Sequence, residues 1–178
     1  SISSLLATGP MKDGPVLGDY SGSPPFSTGF SQKIQQLYVP TVPNNYHGCS
    51  TAGNDTSGIG PAAKAAAELN ASVVFVGVDG SQEGETHDRT FVHLPGVQAQ
   101  LVDAVAAAAA AAGRRIVLVA VGGGAVDLSP WKADPRVGAI LWVGYPGQSG
   151  GQAVAETLFG TSNPSGRLTQ TFYDQRWA

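Results

Sequence analysis

Apolar and polar positions follow two rhythms along this chain. Continuous apolar runs of strand length, rich in β-branched residues, stand at 72–78, 116–121 and 137–143. A run that is apolar throughout, rather than at every second position, suits a strand covered on both faces, as in a parallel sheet. A shorter run at 4–8 ends on Gly9-Pro10, a turn signal. Helical spacing lies between the runs. Phe30, Ile34 and Leu37 place a short helix within 27–37. Pro61 suits a first helical position ahead of the alanine-rich stretch 62–69. Pro95-Gly96 introduces a helix over 97–112 that Gly113 ends, and a short helix over 152–159 precedes Gly160. The alanines of 106–112 read as a helix packed closely on the sheet, because alanine is the best helix former. Ser23-Pro24-Pro25 and Val39-Pro40-Thr41-Val42-Pro43 admit no regular helix.

Strands separated by helices predict a single α/β domain over 1–178, a three-layer sandwich. Its sheet is mainly parallel, with helices on both faces. Parallel neighbours need crossovers, which 61–69 and 97–112 supply. Ligands of such sheets sit at loops beyond the carboxyl ends of strands. That directs attention to 79–93, 122–136 and 144–151.

Composition narrows the function. Only 13% of residues are charged and the net charge is −3, so there is no electrostatic case for nucleic acid. No apolar run approaches the ~20 residues of a membrane span. One cysteine, Cys49, excludes an internal disulfide and a four-cysteine zinc site; alone it reads as a small buried hydrophobe. The sequons at Asn54 and Asn70 favour a secreted or cell-wall location only slightly. The N-terminus has no basic stretch before an apolar core, as expected of a mature product or a piece of something larger.

The scarce charge is concentrated in one loop. Asp79-Gly80-Ser81-Gln82-Glu83-Gly84-Glu85-Thr86-His87-Asp88-Arg89 holds four carboxylates, one His and one Arg, directly after the strongest strand. A carboxyl group there suits general acid work if burial raises its pKa. Read locally, the same residues also make a solvated acidic loop ordered by an Asp88–Arg89 neighbourhood. The loop lacks calcium-hand spacing, and one His makes no zinc site, so no metal is expected. Gly122-Gly123-Gly124 is a tight turn rather than a dinucleotide fingerprint. Position 127 is Asp, and Ser129-Pro130 blocks the helix that the fingerprint needs. The glycines at 144, 147, 150 and 151 fit close loop packing better than an anion site. There is no G-x-S-x-G elbow for a serine nucleophile. His47 and His93 are isolated, and Trp142 reads as core at a strand end.

The order of motifs resembles glycoside hydrolase family 3, nearest its β-xylosidase and α-L-arabinofuranosidase-like members. The carriers begin with Leu17-Gly18-Asp19-Tyr20-Ser21-Gly22. Next come Val76-Gly77-Val78-Asp79-Gly80-Ser81-Gln82-Glu83-Gly84-Glu85, Asp88-Arg89 and Leu94-Pro95-Gly96-Val97-Gln98. Gly123-Gly124-Ala125-Val126-Asp127-Leu128-Ser129, Asp134-Pro135 and Gly138-Ala139-Ile140-Leu141-Trp142 follow. The series closes with Gly144-Tyr145-Pro146-Gly147-Gln148-Ser149-Gly150-Gly151, Leu158-Phe159-Gly160, Asn163-Pro164-Ser165-Gly166-Arg167-Leu168 and Thr171-Phe172-Tyr173.

The resemblance implies the second, α/β sandwich domain of a retaining β-glycosidase of β-xylosidase or β-glucosidase type. In that family an N-terminal barrel carries an Asp nucleophile, so the partner implied is a barrel domain on another chain or segment. The substrate implied is a β-linked saccharide with a terminal sugar. The second domain supplies the acid/base Glu. The Ser-x-Glu element places that role on Glu83, with Glu85 as the fallback. Gln82, His87, Asp88 and Arg89 would shape the loop, and no cofactor is needed. The alternative is a non-catalytic structural or carbohydrate-binding domain of a larger assembly. Three positions depart from the family pattern: Thr169 stands where Pro is usual, Phe172 where Trp is commoner, and Cys49 lacks its usual cysteine partner.

Overall fold

Four parallel strands in the order β1-β2-β3-β4 form the sheet of the computed structural model, which describes residues 4–14, 16–18, 22–38 and 48–178. His47, Asp19-Tyr20-Ser21 and the proline-rich stretch at 39–43 lie outside the described residues. In chain order the elements are β1 (Leu5–Thr8), α1 (Phe30–Leu37), α2 (Ile59–Glu68), β2 (Ala71–Gly77), α3 (Gln98–Ala111), β3 (Ile116–Val121), α4 (Ser129–Lys132), β4 (Val137–Trp142) and α5 (Gly150–Leu158), with a 3-10 turn at Gln175–Trp177. This is the α/β sandwich that the apolar runs predict.

Alternate residues of each strand serve opposite layers, as the pleat requires. Leu6, Val74, Val76, Leu118 and Ala120 meet α2 and α3 on one face. Leu5, Ala7, Val73, Phe75, Val119 and Val121 meet α1 and α5 on the other. The continuous apolar runs of β2 and β3 therefore reflect two buried faces. The run of β4 does not: it is the edge strand of the described sheet, only partly covered, with Gly138 and Ala139 exposed. Small side chains let the first layer lie close: Ala106 and Ala109 of α3 and Ala62 and Ala66 of α2 are completely buried. The second layer uses large side chains. Phe30 stacks on Phe75 with ring centroids 5.2 Å apart, and burying each ring contributes about 2–3 kcal/mol.

The crossovers run through α2, α3 and the one-turn helix α4, whose Trp131 belongs to the first layer and donates to Asp103 of α3 at 3.0 Å. Ser129-Pro130 therefore does not exclude a helix at its own position. Proline in the first turn has no intrahelical N–H bond to lose. The rejection of a helix opening at the glycine triplet stands, since residues 122–128 form none.

Two features aim the carboxyl ends of the strands. Gly77 closes β2 at φ +142°, where a Cβ would stand 1.8 Å from the Val121 carbonyl oxygen, so only glycine lets β2 and β3 end side by side. β1 pairs with β2 no further than Val74. Gln98, fully buried at the start of α3, takes over at Gly77. Its Oε1 accepts from Gly77 N–H at 2.8 Å, and its Nε2 donates to the Gly77 and Thr51 carbonyls at 2.8 and 2.6 Å. This answers the demand that buried backbone groups be paired.

Candidate active site

The acidic loop leaves β2 in a tight turn. Asp79 Oδ1 accepts from the Ser81 N–H and hydroxyl at 2.9 and 2.6 Å, and the Asp79 carbonyl accepts from the N–H groups of Gln82 and Glu83. Gln82 is buried, returns its Oε1 to Asp79 N–H at 3.2 Å and donates to the Ser81 hydroxyl. The chain then folds back at a two-residue turn. Gly84 and His87 exchange backbone hydrogen bonds at 3.1 and 3.0 Å, leaving Glu85 and Thr86 at the tip. Thr86 sits at φ +65°, a left-handed conformation that a β-branched residue adopts only under strain from its surroundings.

Glu83 and Glu85 fare differently. Glu83 points inward, and its side chain is 18% exposed. Its Oε1 accepts from the N–H groups of Gly123 and Gly124, at 2.6 and 3.3 Å, and from the Tyr145 hydroxyl at 2.8 Å. Its Oε2 pairs with Arg89 Nη2 at 3.0 Å. Glu85, His87 and Asp88 are exposed. The Arg89 guanidinium, 9% exposed, turns to Glu83 rather than to the neighbouring Asp88. It also donates to the carbonyls of Ala125 and Phe91, at 3.0 and 3.3 Å. The loop is thus ordered by a pair six residues apart, not by adjacent charges.

The glycine triplet has a use that its spacing did not reveal. It is a tight turn, as expected, and its free N–H groups receive a side-chain carboxylate of the same chain. Glycine eases that approach: a Cβ on Gly124 would lie 2.9 Å from Arg89 Nη2 and 3.0 Å from Glu83 Oε2, the ends of two side chains that would have to shift. Tyr145 follows β4 and brings the fourth donor. Burial first, then the Glu83 carboxylate, pushes its phenol well above the usual tyrosine range, so the hydroxyl stays a donor. Sequence reading assigned Tyr145 no role. The available signal was a tyrosine directly beyond a buried strand, in one of the three loops already marked.

Other singled-out residues are structural here. Cys49 is buried, and burial, then the Asp55 carboxylate, pushes its thiol up to about 11. Asp127 accepts from Ser129 N–H and Gln175 N–H, both at 2.9 Å, and so fastens the C-terminal segment. His93 is exposed, stacks on Phe91 and meets Gln175 Oε1 at 3.1 Å. Trp142 is partly buried and meets Phe172 edge-on. Gly151 packs tightly, since a Cβ there would lie 2.5 Å from the Thr28 carbonyl. Among the described residues no three His, Cys, Asp or Glu side chains converge to hold a metal, and no helix is long and apolar enough to cross a membrane. Cavities of about 480 and 450 Å³ lie elsewhere, one beside Cys49 and Asp55, the other between β4 and the C-terminal segment. Neither is lined by Glu83, Glu85 or Arg89.

The chain resembles known proteins in both sequence and fold. The chain is 40% identical over 178 residues to probable beta-D-xylosidase 6 of Arabidopsis thaliana, covering 98% of this chain and 22% of that protein. It is 38% identical over 180 residues to beta-xylosidase/alpha-L-arabinofuranosidase 1 of Medicago sativa subsp. varia, covering 99% and 22%. Among solved structures, a GH3 exo-beta-xylosidase in complex with a xylobiose aziridine activity-based probe superposes with a TM-score of 0.91 at 31% identity, covering 99% of this chain and 22% of that one. The Bifidobacterium adolescentis GH3 beta-glucosidase follows with a TM-score of 0.80 at 26% identity, covering 95% and 24%. The chain thus spans about a fifth of the length of these relatives. The model of the glycosyl hydrolase family 3 C-terminal domain matches residues 1–177, and the chain belongs to that family.

Proposed function

We propose that this domain supplies the general acid/base of a retaining β-glycosidase that removes terminal sugars, with a barrel domain supplying the nucleophile. Its relatives are named as xylosidases and glucosidases, which supports that substrate class. One observation carries the choice of residue: of the two candidate glutamates, Glu83 has both oxygens committed to donors, whereas Glu85 stands exposed at a tight turn. A group that must give a proton to a leaving oxygen and then take one from water needs free lone pairs and access. Glu85 meets both needs, and Glu83 is the pillar beneath it. A retaining mechanism sets the two carboxyl groups about 5–5.5 Å apart across the scissile bond. The barrel would bring its Asp to that distance and exclude bulk water from Glu85. Secretion to the cell wall fits the exposure of Asn54 and Asn70. A mass loss on deglycosylation of the native protein would test it.

The test uses the barrel-containing protein. Glu85→Gln should lower kcat/KM on xylobiose by about 10²–10⁴ and lower it far less on an aryl xyloside whose leaving group needs no proton. Xylobiose hydrolysis undiminished in Glu85→Gln would overturn the assignment. Loss of all activity in Glu83→Gln, with Glu85→Gln unaffected, would return the role to Glu83.

A further inference from the structure

We propose that Tyr145 is a positioning residue of this site: with the N–H groups of Gly123 and Gly124 and with Arg89 it fixes Glu83, and through Glu83 it sets where the Glu85 turn stands. The proposal rests on the reading of Glu85 as the acid/base. The described strands run in sequential order, so no reversal of strand order creates a crevice at their carboxyl ends. Something else must hold the loops there in register. Glu83 does so, because its donors come from three loops: Arg89 beyond β2, Gly123 and Gly124 beyond β3, and Tyr145 beyond β4. The Tyr145 ring itself is gripped. A Cβ on Gly18 would lie 2.9 Å from its Cδ2, and one on Gly123 would lie 3.0 Å from its Cε2, so both glycines leave room for a flat ring. Gly147 N–H donates to the Val16 carbonyl at 2.6 Å and ties the fourth loop, beyond β1, to the same spot.

The reach is short. Only Gly84 separates Glu83 from Glu85, and Gly84 is itself tied to His87 by two backbone hydrogen bonds, so a shift of Glu83 moves the turn that carries Glu85. The Tyr145 hydroxyl acts on Glu83, not on the scissile bond. Its effect therefore belongs in the placing of Glu85, where a displacement of about 1 Å can cost 10²-fold.

Tyr145→Phe removes one hydroxyl and leaves the ring in its slot. In the barrel-containing protein we expect kcat on xylobiose to fall about tenfold with KM nearly unchanged. The loss should shrink on an aryl xyloside with a good leaving group, as for Glu85→Gln. Combined with Glu85→Gln, Tyr145→Phe should then have no further effect on xylobiose. Amide hydrogen exchange at Gly84 and His87 should also speed about tenfold in Tyr145→Phe. A loss that multiplies in the double variant, or unchanged exchange at both amides, would overturn the proposal. If Glu85→Gln alone proved inert, the assignment of Glu85 would fall, and the exchange rates would still decide whether Tyr145 holds the turn.

Discussion

Glu83 and Glu85 are the same residue type, two positions apart in one loop, yet the fold gives them opposite surroundings. Glu83 sits at the stem, takes donors from three loops and has little exposure. Glu85 sits at the tip of a strained turn and faces solvent. A carboxylate that joins loops must be satisfied and immobile, while one at a turn tip stays reachable. The short turn at Gly84–His87 lets one loop provide both. Position in the three-dimensional network, not residue type, divides the two environments.

Mutation can break that contrast in graded ways. The largest effect should come from Arg89→Leu, which leaves a mostly buried carboxylate without its counter-ion. We expect a loss of about 3 kcal/mol, or roughly 6–12 °C in Tm, whereas Glu85→Ala should stay within about 0.5 kcal/mol. Urea denaturation of the two variants compares them directly, and equal losses would erase the distinction between stem and tip. Next comes Glu83→Leu, which strands the donors of Gly123, Tyr145 and Arg89 and should cost about 1–3 kcal/mol. Combined with Arg89→Leu, the loss should be smaller than the sum of the single losses by at least about 1 kcal/mol, as a double-mutant cycle would measure.

Gly124→Ala should cost less, about 1 kcal/mol, because the new methyl presses only on the ends of two flexible side chains. Its cost should disappear once both Glu83 and Arg89 are shortened. At neutral pH the smallest effect belongs to Cys49, a buried acid with the Asp55 carboxylate near it. Its thiol rises in the fold from 9.0 to about 11, so the native state holds the proton more tightly than the unfolded chain. The stabilisation is complete below about pH 9 and is lost as pH rises toward 11, on the order of 3 kcal/mol in all. Cys49→Ala should flatten that part of the stability profile. An unchanged slope would mean that the thiol titrates normally.

Much of the scaffold was legible because burial writes itself into composition. A strand covered on both faces must be apolar at every position, which is why β2 and β3 stand within a residue of their expected limits; β4 does so too, although as an edge strand it is only partly covered. Helix limits were less clear. α2 begins at Ile59, two residues before Pro61, because the whole first turn, not only its first position, lacks intrahelical N–H partners. The one-turn helix α4 escaped notice for the same reason. The acidic loop was visible as the one concentration of charge in a chain with few charges. Its internal pairing was not visible, since adjacency suggested Asp88 with Arg89 while Arg89 reaches back to Glu83.

The sequence by itself determined the layers, the sheet, the family and the loop in which the charge is concentrated. These follow from local periodicity and from motif order, which a linear string retains. Only the tertiary structure decided which glutamate is anchored and which is free. That choice rests on Gly123, Gly124 and Tyr145, 40 to 62 residues downstream of Glu83. Their N–H and O–H groups meet Glu83 because parallel strands carry their loops to one end of the sheet, a proximity that no local pattern in the chain records.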